Sequence, residues 1–155
     1  MINLKGVMPF AEGGNRICYI HPDDRNICLK ISKPEVIKKM YQNAPWYKKL
    51  RSEKSFDDNF REEKAYQQKA IKEHQQTIWK HLAKWYEFVE TSEGLASCSE
   101  LITNNDKVAL NLEEYLFRKG RTLEIDEALK EFEMFLKETK LLTKNIIPHN
   151  LAVKE

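Results

Sequence analysis

Lys30 is the residue in this chain whose surroundings ask for chemistry. It sits inside an otherwise apolar alternating run, Ile27, Leu29 and Ile31 with Cys28 between them, where a cation is costly to bury unless an anion meets it. Upstream, Gly13-Gly14 opens a second alternating run, Ile17 and Tyr19 against Cys18 and Ile20. His21-Pro22-Asp23-Asp24 separates the two runs as a turn, so both read as antiparallel strands. A glycine turn lets backbone N–H groups approach phosphate, and a lysine beside it neutralises the charge. The alternative for Lys30 is a hairpin lysine that snorkels to solvent.

The elements that must position these groups follow in chain order. Ile2 to Phe10 reads as a short strand leading into the glycine turn. Between Ser32 and Lys54 lie Lys33, Lys38, Lys39, Lys48, Lys49, Arg51 and Lys54, with the aromatic pair Trp46-Tyr47. Bases interleaved with aromatics can bind nucleic acid or anionic lipid, but the preferred reading is a solvated connection that packs a few rings on the body. Asp57 to about His81 reads as one helix, charged, rich in Gln and Ala, free of Gly and Pro, with Ser55 or Asp57 as its cap. Glu62 shares a face there with Tyr66 and Ala70, which suits a carboxylate that meets Lys30; the bland reading is an exposed glutamate near a helix N-terminus. Leu82–Glu90 and Leu95–Thr103 read as two strands, Leu112–Arg118 as a helix closed by Gly120, and Glu124 to about Leu142 as an amphipathic core helix. Thr143–Asn150 is a loop, and Leu151–Val153 begins a strand.

A chain of 155 residues with net charge +2, 32 % charged and 41 % hydrophobic, has a soluble globular composition with no strong nucleic-acid bias. No apolar run approaches a membrane span, so no membrane partner is expected. Three cysteines without C-x-x-C spacing point to a reducing compartment, the cytoplasm. No H-E-x-x-H, paired Cys/His or Ser/His/Asp spacing suggests hydrolytic or zinc chemistry.

The early spacing fits, loosely, the nucleotide lobe of protein kinases, G-x-G-x-x-G-x-V followed by A-x-K. Ala11, Gly13 and Arg16 take the three glycine positions, Cys18 the valine, and Cys28-Leu29-Lys30 the A-x-K. More specifically, C-Y-x-H-P followed by C-x-K-I resembles the PhoP regulatory network protein YrbL family, a small kinase-like group. Gly13, Arg16, Arg61-Glu62, Tyr66, Val89-Glu90-Thr91, Pro148 and Asn150 extend the resemblance over nearly the whole chain.

The resemblance implies an α+β, protein-kinase-like fold in one domain, 1–155. An antiparallel five-stranded lobe with one helix would span 1–103, a hinge 104–110, and a minimal helical lobe 111–155. It implies that Lys30 binds ATP phosphates, that Glu62 pairs with it, and that Gly13, Gly14, Arg16, Cys18 and Cys28 surround the nucleotide, the two thiols as a ceiling over adenine. Asn145 would stand at the catalytic aspartate and Asn150 at the metal-binding asparagine, with magnesium as the implied ion. Departures from the kinase pattern are chemical. Asn145 cannot take a proton near neutral pH, and Ile147 replaces the lysine that meets the transferred phosphate. No D-F-G follows Asn150 within the sequence to hold magnesium. The expectation is a pseudokinase-like regulator with a protein partner and weak or no phosphotransfer; a small atypical kinase, or a ligand-free interaction module, is the alternative.

Overall fold

The computed structural model describes residues 1–155, which group into two compact units: 1–66 with 84–101, and 67–83 with 102–155. The first unit holds a five-stranded antiparallel sheet, with β1 Ala11–Glu12, β2 Arg16–His21, β3 Asp24–Ser32, β4 Trp85–Thr91 and β5 Gly94–Glu100 in the order β1-β2-β3-β5-β4. The two alternating runs are therefore β2 and β3, joined at the expected turn. Ile2–Phe10 is not a strand. It makes one parallel bridge, Ile2 with Thr91, then turns at Gly6, whose φ of 83° lies in the left-handed region.

The period-2 pattern gives this sheet two different faces. Leu4, Tyr19, Leu29, Ile31, Ala96 and Cys98 form an apolar core on one side, with Ile2 and Val7 of the N-terminal segment packed against it. On the other side the register sets Arg16 opposite Ser32, Cys18 opposite Lys30 and Ile20 opposite Cys28. It continues with Lys30 opposite Ser97 and Cys28 opposite Ser99.

Between β3 and β4 the chain holds several helical pieces where one helix is expected. They are α1 (Pro34–Asn43), α2 (Trp46–Lys49), a 3-10 turn at Glu53–Phe56, α3 (Asp58–Tyr66), α4 (Lys69–Glu73) and a 3-10 turn at Ile78–Lys80. Pro34 at the first turn of α1 supplies a preset φ, which begins a helix in a stretch read as connection. Asp57 caps α3, its carboxylate accepting the Asn59 N–H at 2.9 Å and the Ser32 hydroxyl, so the cap also ties α3 to the end of β3. Aromatic pairs bind α3 to β4: Phe60 with Phe88 at 4.8 Å and Tyr66 with Trp85 at 6.4 Å between centroids.

The second unit contains α4, a short hairpin of β6 (Thr103–Asn104) and β7 (Lys107–Val108), α5 (Leu112–Lys119) and α6 (Leu123–Thr139). The stretch expected as a hinge is thus largely this hairpin, whose turn residues Asn105 and Asp106 both have positive φ, 50° and 62°. Residues 67–83, expected in the first lobe, group with this unit. Its core joins Leu112, Tyr115 and Ile125 with Leu110, Leu151 and Val153. The final strand is a single bridge, Ala152 with Asn111. Asn111 begins α5 with a reciprocal capping box to Glu114, and Gly120 ends it at φ 76°. Along α6, Ile125 and Phe135 are buried as the spacing predicts, whereas Leu129 is 39 % exposed.

Candidate functional site

Lys30 lies mid-strand on the polar face of the first sheet, and α3 runs over that face. Asn59, Glu62 and Tyr66 recur at i, i+3 and i+7, so they line one side of the helix. Lys30 Nζ donates to Glu62 Oε1 at 2.5 Å, and the two side chains are 20 % and 17 % exposed. The carboxylate is shared: Arg16, on the neighbouring strand, ion-pairs with the other oxygen, Oε2. Burial pushes the Glu62 carboxyl up, but Lys30 and Arg16 together outweigh it and hold the group below the ordinary carboxylate range. Burial likewise opposes the Arg16 charge, and Glu62 reverses that and raises it.

Asn59 completes the cluster and is a residue that sequence reasoning misses. It is 2 % exposed, accepts from Arg16 at 3.3 Å and donates to the Lys30 carbonyl at 2.8 Å. Its signal in the sequence is only its place three residues before Glu62. Arg16 itself enters the sequence reading as a third glycine position and emerges as the second partner of Glu62.

Cys18 and Cys28 share this face, Cys18 half-buried and Cys28 buried. A hydrogen bond from Cys28 draws the Cys18 thiol down to about 7 against the opposing effect of burial, with Lys30 and Arg16 adding to it. The Cys28 thiol is pushed up by that same bond and by burial. Both side chains are small, and Cys18 stands directly opposite Lys30 across the β2–β3 pair.

The glycine turn joins β1 to β2 just before Arg16. Gly13 N–H donates to the Arg16 carbonyl at 2.9 Å, closing the β1–β2 turn. Asn15 anchors it, its amide donating to Asp58 at 2.7 Å and its carbonyl accepting from Lys33 N–H at 2.9 Å. Neither Gly13 nor Gly14 has a positive φ, and a Cβ at Gly14 would meet nothing within 4 Å. The turn closes without demanding glycine at either place, and the space above it is open.

A surface concavity on the opposite side of the sheet is lined by Glu12, Ile17, Tyr19, Ile31, Lys33 and Glu93. Its lysine, Lys33, is already paired with Glu12 at 2.6 Å, and its remaining charges are carboxylates. The Lys30 face, by contrast, gathers two cations, Lys30 and Arg16, around one carboxylate.

Asn145 and Asn150 belong to the second unit, Asn145 in the loop before the 3-10 turn Pro148–Asn150 and Asn150 at that turn's end, and both are exposed. The Asn150 amide donates to the Asn145 carbonyl at 3.1 Å, so this pair braces its own loop. His149 is exposed beside them. No cluster of three His, Cys, Asp or Glu side chains is placed to hold a metal. Magnesium takes an octahedral shell of oxygens with carboxylate or phosphate among them, and one neutral asparagine oxygen does not fit that demand.

Two known proteins are similar to this chain, each named "Uncharacterized protein YrbL", from Escherichia coli (strain K12) and Shigella flexneri. Both are 23 % identical over 155 residues, covering 97 % of this chain and 65 % of the relative's own length. The chain therefore spans just under two thirds of those relatives. No solved structure matches it, and the fold observed is an α+β arrangement of one antiparallel sheet with several helices. Residues 2–155 match, almost end to end, the description that the C-Y-x-H-P and C-x-K-I segments suggest. The chain belongs to the PhoP regulatory network protein YrbL family.

Proposed function

We propose that this chain is a kinase-like, nucleotide-binding regulatory domain, in which Lys30, oriented by Glu62, meets the phosphates of ATP. The observation that carries the reading is the Lys30–Glu62 ion pair on the polar sheet face, beside an open glycine turn. An ammonium has three donors, and Glu62 engages one, which leaves donors for phosphate oxygens. Arg16 would add a second positive charge beside the phosphates, Gly13 and Gly14 would let the backbone approach them, and Cys18 and Cys28 would face the base. Phosphoryl transfer needs a base and charge neutralisation at the transferred group. With Asn145 and Ile147 at those positions, little or no transfer is expected, and regulation of a protein partner is the role that remains. The family's name, which refers to a regulatory network, supports that role.

A second reading is a ligand-free interaction module. The sharing of Glu62 between Arg16 and Lys30 favours it, because the cluster is already neutralised in part without a ligand. Thermal denaturation with millimolar ATP, with and without magnesium, separates the two. A ligand at a hundred times its Kd stabilises by about 2.7 kcal/mol, a shift of several degrees for a chain of this size. The nucleotide reading expects such a shift in the wild type and its loss in Lys30→Met. No shift at any ATP concentration favours the module.

A further inference from the structure

The basic, aromatic stretch after β3 does not pack its rings on the body as the sequence suggests. Tyr41 and Phe56 pair edge to face at 5.6 Å, but every residue from 45 to 54 is exposed. Trp46 is 76 % exposed, Tyr47 55 % and Leu50 80 %. All three fall within or immediately after α2, and Trp46 and Leu50 stand at i and i+4, on one side of it. Lys48, Lys49 and Arg51 lie among them, and Lys38 and Lys39 are exposed on α1, which itself buries no residue. None of these five bases is in an ion pair, whereas Lys33, closer to the sheet, is held by Glu12. Between Ser32 and Lys54 there are seven bases and only two acids, Glu35 and Glu53, in a chain whose total charge is +2.

We infer that the segment Pro45–Lys54, with the lysines of α1 beside it, is a docking surface for an anionic phospholipid bilayer. Tryptophan and tyrosine settle at the headgroup level, an exposed leucine beside them gains by entering the acyl boundary, and unpaired lysines and arginine meet anionic headgroups. Single-stranded nucleic acid is the competing partner for bases and rings. It is disfavoured by Leu50, which offers no stacking face, and by Trp46 and Tyr47, which stand edge to face with each other at 6.2 Å, not as parallel platforms. Such a surface would hold the domain on a membrane through headgroup and interfacial contacts.

Co-sedimentation of the 155-residue chain with phospholipid vesicles tests this. The wild type should pellet with phosphatidylcholine vesicles containing phosphatidylglycerol, stay in solution with phosphatidylcholine alone, and release as salt rises. Lys48→Glu with Lys49→Glu should weaken binding at least tenfold, at about one decade for each 1.4 kcal/mol of lost headgroup attraction. Trp46→Ser with Leu50→Ser should weaken it by a similar factor, and far-UV circular dichroism should be unchanged because all four side chains are exposed. The proposal is overturned if the wild type ignores the anionic vesicles, if both double variants bind as the wild type does, or if a single-stranded oligonucleotide binds more tightly and is lost with the same substitutions.

Discussion

Glu62 accepts from a lysine and an arginine at once, so its removal strands two half-buried cations, not one. Glu62→Gln should therefore destabilise the first unit by about 2–3 kcal/mol in urea denaturation, near the lower range for breaking a buried pair because some solvent reaches it. Its pH dependence has a definite sign. The folded carboxyl lies below the ordinary glutamate value of about 4.3, so its stabilisation is complete above that value and is lost as the pH falls towards the folded one. Wild type should lose stability more steeply than Glu62→Gln does as the pH falls below the ordinary glutamate value; parallel curves would contradict the pairing. The thiols give a second test at this scale. Cys18, half-buried with a thiol drawn to about 7, should be alkylated by iodoacetamide at neutral pH well before buried Cys28, and bound ATP should slow it; peptide mass spectrometry reads both. Much of this site was legible. A lysine amid Ile27, Leu29 and Ile31 demands an anion, and helix spacing nominates Glu62. Arg16 was not legible as its second partner, because 46 residues separate the two and no local pattern records a contact made by folding.

At the scale of elements, propensity misleads where burial overrides it. Residues 57–81 contain no glycine or proline and read as one helix, yet α3 ends at Tyr66 and the next helix begins at Lys69. Ile71 and Ile78 are 5 % and 0 % exposed within the second unit, a burial that one straight helix would have to serve together with α3. Gln68 fixes the break: its amide donates to the Leu142 carbonyl at 3.1 Å and accepts from the Leu142 N–H at 3.0 Å. A glutamine tying its chain to a residue 74 positions away has no signature in sequence. The caps, by contrast, are local chemistry and can be read. Asn111 and Glu114 form a reciprocal box at the start of α5, so Asn111→Ala should cost the second unit about 1 kcal/mol by denaturant midpoint. An unchanged midpoint would mean that α5 is held by its packing alone.

Across the whole molecule, alternation made the sheet legible, since two period-2 runs and a turn leave few options for β2 and β3. The division of the chain was harder to read, because 67–83 joins 102–155 through contacts remote in sequence. Each unit has its own core, and Leu29→Ala, at a fully buried position of the first, should cost about 2–5 kcal/mol there while leaving the transition of the second in place if the two unfold separately. Nucleotide binding by the folded chain is likewise a property of the whole molecule. Titration calorimetry of ATP into the wild type and into Lys30→Met measures it. Saturable binding by the wild type should fall at least tenfold in the variant; equal affinity in the two, or no heat in either, would overturn the nucleotide-binding reading.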